Sequence, residues 1–274
     1  MRTIIGIDVG GSTTKIVAAK NNTLLNPILV SANDPITSIY GAFGKFTNEN
    51  ALELSDVDKV VITGVGASYV DKPIYGLKCE SVSEFECFGR GGLYLSGLDE
   101  AIVVSMGTGT ANVYSKKNGD TITNEYLGGT GVGGGTMIGL SKKMLNMDNV
   151  EHILELAEEG NLDNVDLKVK DIYKHVKDNS LPQNLTASNF GKLSDVATDS
   201  DVALAIINMI FETTAMLAVF ASRMKNTKNV VLTGNLSNFK LAKTIFSELG
   251  KLFDTNFIIP ENSQFATAIG AALL

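Results

Sequence analysis

Cysteine and clustered positive charge are both scarce in this 274-residue chain. Its two cysteines, Cys79 and Cys87, are too few for a disulfide framework and stand in no Cys-x-x-Cys or Cys/His array. That argues against a stapled secreted scaffold and against structural zinc, and points to a reducing compartment. Basic residues gather only in pairs such as Lys116-Lys117 and Lys142-Lys143, within a formal net charge of −7 and an isoelectric point near 5.0. Surfaces for nucleic acid or anionic membrane need a clustered basic patch, so neither partner is expected. The opening MRTIIGIDVGG lacks the apolar core and cleavage site of a secretion signal, so a cytosolic location is expected. The one membrane candidate, Val202 to Met224, carries Asn208, Glu212 and Arg223, which suits a buried core helix better.

Two familiar nucleotide motifs are also missing. No glycine cluster has the G-x-G-x-x-G spacing that opens directly into a helix, and no G-x-x-x-x-G-K-[ST] occurs. The glycines must serve another geometry. Thr3 to Asp8 reads as a strand, Val9 to Thr13 as a turn and Thr14 to Ala19 as a second strand. About a hundred residues later the same order recurs: Ala101 to Ser105, the turn Met106 to Thr110, then Ala111 to Ser115. The chain reads as an α/β protein duplicated at the level of architecture, with no linker rich enough to mark an independent module.

Between the hairpins, Lys59 to Thr63 reads as a buried strand and Glu84 to Leu95 as a helix. After them, the glycine run Gly128 to Gly135 leads into a helix from Met137 to Leu145, the arrangement of an anion site. Val150 to Glu159 reads as a short helix and 161–190 as a polar excursion. Ser200 is the expected cap of the long apolar helix ending at Met224. Asn229 to Thr233 reads as a strand, and Phe265 to Leu274 as a small-residue helix.

In two opposed strand-turn-strand hairpins, backbone N–H groups and hydroxyls at the tips can grip a polyphosphate from both sides, and glycine permits the close approach. Ser12, Thr13 and Lys15 at the first tip, with Thr108 and Thr110 at the second, are the candidate contacts. For Lys15 a surface lysine on the strand is an equal reading, since alternation from Ile16 turns it outward. Asp8, at the end of the first strand, can orient magnesium through water or can simply open a turn.

The segments DVGGSTTK, SEFEC, SMGTGT, GGTGVGGGTMIGL and LTASNFG, in that order over nearly the whole chain, resemble a type II pantothenate kinase of the actin, hexokinase and heat-shock ATPase superfamily. The resemblance implies two ribonuclease-H-like halves around an ATP cleft, with residues 1–98 as the first and 99–274 as the second. It implies ATP and magnesium as cofactors, pantothenate as acceptor and a homodimer. It places the general base on Glu84, with Glu86 as the neighbouring competitor; without it, a glutamate in a first helical turn reads as a favourable dipole interaction. It places the nucleotide against Asp8, Val9, Gly10, Gly11, Ser12, Thr13, Thr14, Lys15, Thr108, Gly134, Gly135, Thr136, Met137 and Ile138, with Asn235 on the adenosine side.

One position departs from the pattern. Before the glycine run the family usually carries an arginine expected to engage the pantothenate carboxylate, and here the residue is Tyr126. Arg90 is the candidate replacement; failing that, pantetheine, whose amide replaces the carboxylate, becomes the alternative acceptor. Two further alternatives are a sugar kinase of the same fold and an ATP-hydrolysing activator.

Overall fold

The computed structural model describes residues 3–11, 13–21, 23–31, 34–173 and 182–274; the expected phosphate contact Ser12 and residues 174–181 of the excursion lie outside the described residues. The first sheet is built from β1 (Thr3–Val9), β2 (Thr14–Lys20), β3 (Thr23–Leu24), β4 (Ile28–Val30), β5 (Lys59–Thr63) and β6 (Cys79–Ser81). Helix α1 (Pro35–Glu49) lies between β4 and β5, and α2 (Glu84–Ser96) follows β6. The second sheet begins with β7 (Glu100–Met106), β8 (Thr110–Asn118) and β9 (Thr121–Thr130). Then come α3 (Gly134–Leu145), α4 (Val150–Ala157), the small ladder of β10 (Leu167–Lys168) and β11 (Thr186–Ser188) around α5 (Val169–Ile172), and α6 (Asp199–Met224). The chain closes with β12 (Asn229–Thr233), α7 (Lys240–Phe253), β13 (Asn256–Ile258) and α8 (Ala266–Ala272).

Strand order reveals the duplication. The first sheet runs β3-β2-β1-β5-β6 and the second β13-β12-β7-β8-β9, the same order read in reverse. In each, an antiparallel hairpin (β1 with β2, β7 with β8) is extended by parallel strands (β5 and β6, β12 and β13). This is the architecture of two actin-like halves.

Alternation along the strands assigns the two faces of each sheet. Ile5, Ile7 and Val9 pack with Ile39, Phe43 and Phe46 of α1, while Ile4 on the other face meets Cys87 of α2 and Ala271 of α8. In the second sheet Ile102, Val104 and Met106 face α6 and α7, and Val103 faces Phe88 and Leu93 of α2. Helix α2, which the first half leads into, thus lies on the second sheet; α8, which follows the second sheet's edge strand, lies on β1 and β2. The two helices cross between the sheets. A Cβ on Gly91 would collide with the Ala266 carbonyl, and one on Gly270 with the Cys87 carbonyl, so the crossing requires glycine at both points.

Helix α6 is long and apolar enough to span a membrane by composition, but 61% of that window is buried inside the protein against the second sheet. Its cap is Thr198, not Ser200. The Asp201 N–H donates to Thr198 Oγ1 and the Thr198 N–H to the Asp201 carboxylate, a reciprocal capping box that starts the helix before Ser200. The glycine run also divides differently from expectation. Gly128 to Thr130 complete β9, paired with β8, and α3 begins at Gly134 instead of Met137.

Candidate active site

Asp8 and Lys15 face each other across the β1–β2 ladder, so both side chains emerge on the face covered by α2 and α8. Each is buried, and the Lys15 ammonium lies 3.7 Å from Asp8 Oδ2. This corrects the surface reading of Lys15: alternation from Ile16 does turn it to the opposite face, but that face is covered. Burial holds the Asp8 carboxyl above its ordinary range, and the Lys15 charge pulls the other way.

Glu84 is the first residue of α2, directly after β6, and its side chain shares this field. Burial raises its pKa most, the Asp8 charge raises it further, and Lys15 lowers it. A helix N-terminus favours an ionised carboxylate, but here desolvation and the like charge prevail. Its competitor Glu86 turns outward, with Oε1 3.9 Å from the Arg90 guanidinium.

The glycine after β5 completes the floor. Gly64 has φ +89°, and a Cβ there would lie 2.7 Å from Asp8 Oδ1 and 2.6 Å from the Val9 carbonyl. Gly234, after β12, repeats the device with φ +89° and a Cβ position 2.5 Å from the Met106 carbonyl. Gly64 belongs to the site and escaped the sequence reading, although VVITG and VVLTG carry the signal.

Above this floor the hairpin tips oppose one another. A Cβ on Gly11 would stand 3.7 Å from Thr108 Oγ1, and Asn235 Nδ2 donates to Thr13 Oγ1 across 3.5 Å. Asn235 thus sits over the first tip, and its Oδ1 is buried without a hydrogen-bond partner. The second tip is braced by α3: the Gly134 and Gly135 N–H groups donate to the Gly107 and Thr108 carbonyls, each at 2.9 Å. These first-turn N–H groups therefore shape the tip instead of standing free for an anion.

Several expected contacts do not open onto the cleft with their side chains. The Thr14 hydroxyl accepts from Ser38 Oγ on α1, and Val9 and Met137 are core residues. Ile138 packs against the same core as Met137. Thr110 donates to the Val132 carbonyl, and Thr136 to the Gly131 carbonyl. Gly10 closes the first turn through its N–H to the Thr13 carbonyl.

Beyond Glu84, Phe85 stacks on Tyr126 of β9 with centroids 4.4 Å apart. Arg90 lies five residues from Phe85, about 140° around the helix, so it does not join this pair. Among the described residues no group of three or more His, Cys, Asp or Glu side chains could hold a metal. An open hollow of ≈520 Å³ beside α7 and β13, lined by Lys228, Lys243 and Phe257, contains none of these groups. Chemistry, not size, identifies the cleft.

The Fumble family model matches residues 100–248. Full-length relatives include a type II pantothenate kinase of Staphylococcus saprophyticus, 29% identical over 97% of this chain and 98% of that protein. A Bacillus cereus protein of the same name is 28% identical over 100% and 98%. Among solved structures, the activator of 2-hydroxyisocaproyl-CoA dehydratase from Clostridium difficile with bound ADPNP has a TM-score of 0.67 at 18% identity, covering 99% of this chain and 93% of that one. A ROK family glucokinase from Streptomyces griseus with glucose and AMPPNP has 0.63 at 13% identity, covering 98% of each. These two likenesses show the fold.

Proposed function

The chain belongs to the Fumble family, and on that premise we propose that it transfers the γ-phosphoryl group of ATP to the primary hydroxyl of pantothenate, opening coenzyme A synthesis. The observation that carries the reading is Glu84, a half-buried carboxylate within the field of Asp8 and Lys15 at the foot of two opposed glycine tips. In the transfer, the γ-phosphorus separates from the ADP oxygen and bonds to the acceptor oxygen, and the hydroxyl proton passes to Glu84. Position matters more than basicity, because phosphoryl transfer asks little covalent chemistry of the protein.

Lys15, Thr13 and Thr108 hold the phosphates, and the glycines of both tips let the backbone approach them. The residues fit a magnesium–nucleotide: Asp8 is a hard oxygen donor and Gly64 keeps a Cβ away from its Oδ1. Asp8 is the residue that would hold magnesium, through water, and the ion when bound offsets phosphate charge. Asn235 closes over the nucleotide from the second half. Residues 1–98 and 99–274 act as the two lobes of each protomer, and the protein works as a cytosolic homodimer to which the exposed Phe220 and Met224 of α6 contribute.

Glu84→Gln tests the reading. With ATP and pantothenate it should reduce kcat by about 10²–10⁴-fold while ATP binding stays within a few-fold. Near-normal turnover in that variant would remove Glu84 from the mechanism. Acceptor-independent hydrolysis by the wild type would favour an activator, and transfer to an amino sugar would favour the sugar-kinase reading.

A further inference from the structure

Lysines scattered along the sequence gather at the end of the second half that lies away from the cleft. The hollow of ≈520 Å³ beside α7 and β13 takes Lys243, Ser247 and Lys251 from α7, Lys228 from the residue before β12, and Phe257 and Ile259 from the strand side. Positions 243, 247 and 251 are four apart, so their side chains form one row along the helix. Lys228 is held by Asp254, the one acid in the lining. Lys243 and Lys251 are exposed and pair with no acid among the described residues, the neighbouring Glu248 included. In a chain of net charge −7, this hollow carries three ammonium groups against one carboxylate.

The rest of the lining supplies a hydroxyl and an apolar wall. Ser247 stands exposed between the two free lysines, and half-buried Phe257 rests on buried Phe246 with ring centroids 5.1 Å apart. Gly250 lets the two elements meet: a Cβ there would lie 2.7 Å from the Thr255 carbonyl and 3.3 Å from Phe257 Cδ2. The exposed carbonyls of a helix C-terminus repel anions, but here the Gly250 carbonyl is occupied by the Asp254 and Thr255 N–H groups. Lys243 and Ser247 lie further back along the helix. The volume is that of a small-molecule site, and three lysines on one helix end are too few for a nucleic acid.

We infer that this hollow is a second ligand site, which takes a phosphorylated small molecule with a flat apolar body. The phosphate lies among Lys243, Ser247 and Lys251, where lysines act as point charges, and the ring lies on Phe257 and Ile259. The ligand is not a substrate of the transfer, because Asp8, Lys15 and Glu84 take no part in the lining. The hollow opens at the start of β12 and Asn235 follows its end, five residues or about 16 Å away. Both sites can therefore be filled at once, whatever the acceptor of the cleft.

Calorimetric titration with phenyl phosphate, the cleft being filled by saturating magnesium–AMPPNP, tests this. Phenyl phosphate should bind with one site per chain and at least about tenfold more tightly than inorganic phosphate, and benzyl alcohol should not bind. Affinity should fall as salt is raised. The double variant Lys243→Gln/Lys251→Gln should lose about tenfold or more in affinity, and Lys243→Arg/Lys251→Arg should keep it, while kcat and KM for ATP stay at wild-type values in both. No binding up to about 10 mM phenyl phosphate, or binding that the glutamine variant retains in full, overturns the second site. Binding seen only when AMPPNP is left out places the probe in the cleft and overturns it as well. Each of these results leaves the kinase reading intact, since that reading stands on Glu84→Gln.

Discussion

At the scale of single residues, the site is defined by carboxylates kept from water. In the role proposed for it Glu84 must be ionised to accept a proton, and its pKa stands above the ordinary 4.5 because burial and Asp8 both disfavour the charge. The protonated, inactive form therefore persists to higher pH than for a free glutamate. The acid limb of kcat/KM is expected to have its midpoint above pH 4.5, and a pH–rate profile checks it; a midpoint at or below that value contradicts the burial argument. For stability the sign is opposite. The folded protein holds protons on Asp8 and Glu84 that the unfolded chain releases, so these groups favour folding at low pH and lose that contribution as pH rises through their raised values. Asp8 was legible because it ends a β-branched strand before two glycines. The burial of Lys15 was not, because alternation tells which face a residue takes and not whether a helix from the other half covers it. Tyr126 was legible as a departure from a pattern, but its partner Phe85 was not, since stacking across α2 and β9 leaves no trace in local sequence.

Elements were legible where their own residues carried the signal and illegible where neighbours did. The hairpins β1–β2 and β7–β8 combine β-branched runs with glycine turns, and both appear where expected. The edge strands β6 and β13 are three residues each and exist only because a parallel neighbour pairs with them. Helix α1 escaped although Asp34 caps it through the Thr37 N–H at 2.7 Å and Pro35 opens it, because Gly41 and Gly44 interrupt the apolar pattern. The crossing of α2 and α8 is the least legible feature and the most exposed to mutation. Gly270→Ala should lower stability by about 1–3 kcal/mol, because the collision is with backbone of α2 and no side chain can turn aside. A urea midpoint measures this. Gly97→Ala, at the end of α2 with open space around it but φ +68°, is the control for backbone strain alone. Equal losses at the two positions would show that the helix crossing imposes no steric demand of its own.

At the scale of the whole molecule, the exchange of helices decides how the protein comes apart. A first half unfolding alone would strip α2 from β7, β8 and β12 and expose the apolar faces of Phe88 and Leu93. A second half unfolding alone would remove α8 from β1 and β2 and uncover Val17, Ala19 and Ile269. Neither half keeps a complete core without the other's helix, so the two should unfold in one cooperative transition. Urea curves from tyrosine fluorescence and from far-ultraviolet circular dichroism should then coincide. A non-hydrolysable ATP analogue at a hundred times its Kd adds about 2.7 kcal/mol, and because Thr13 and Asn235 meet across the cleft, that increment should displace the single transition as a unit. Two resolved transitions, with only one moved by the analogue, would show instead that the sheets are independent bodies and that the nucleotide belongs to one of them.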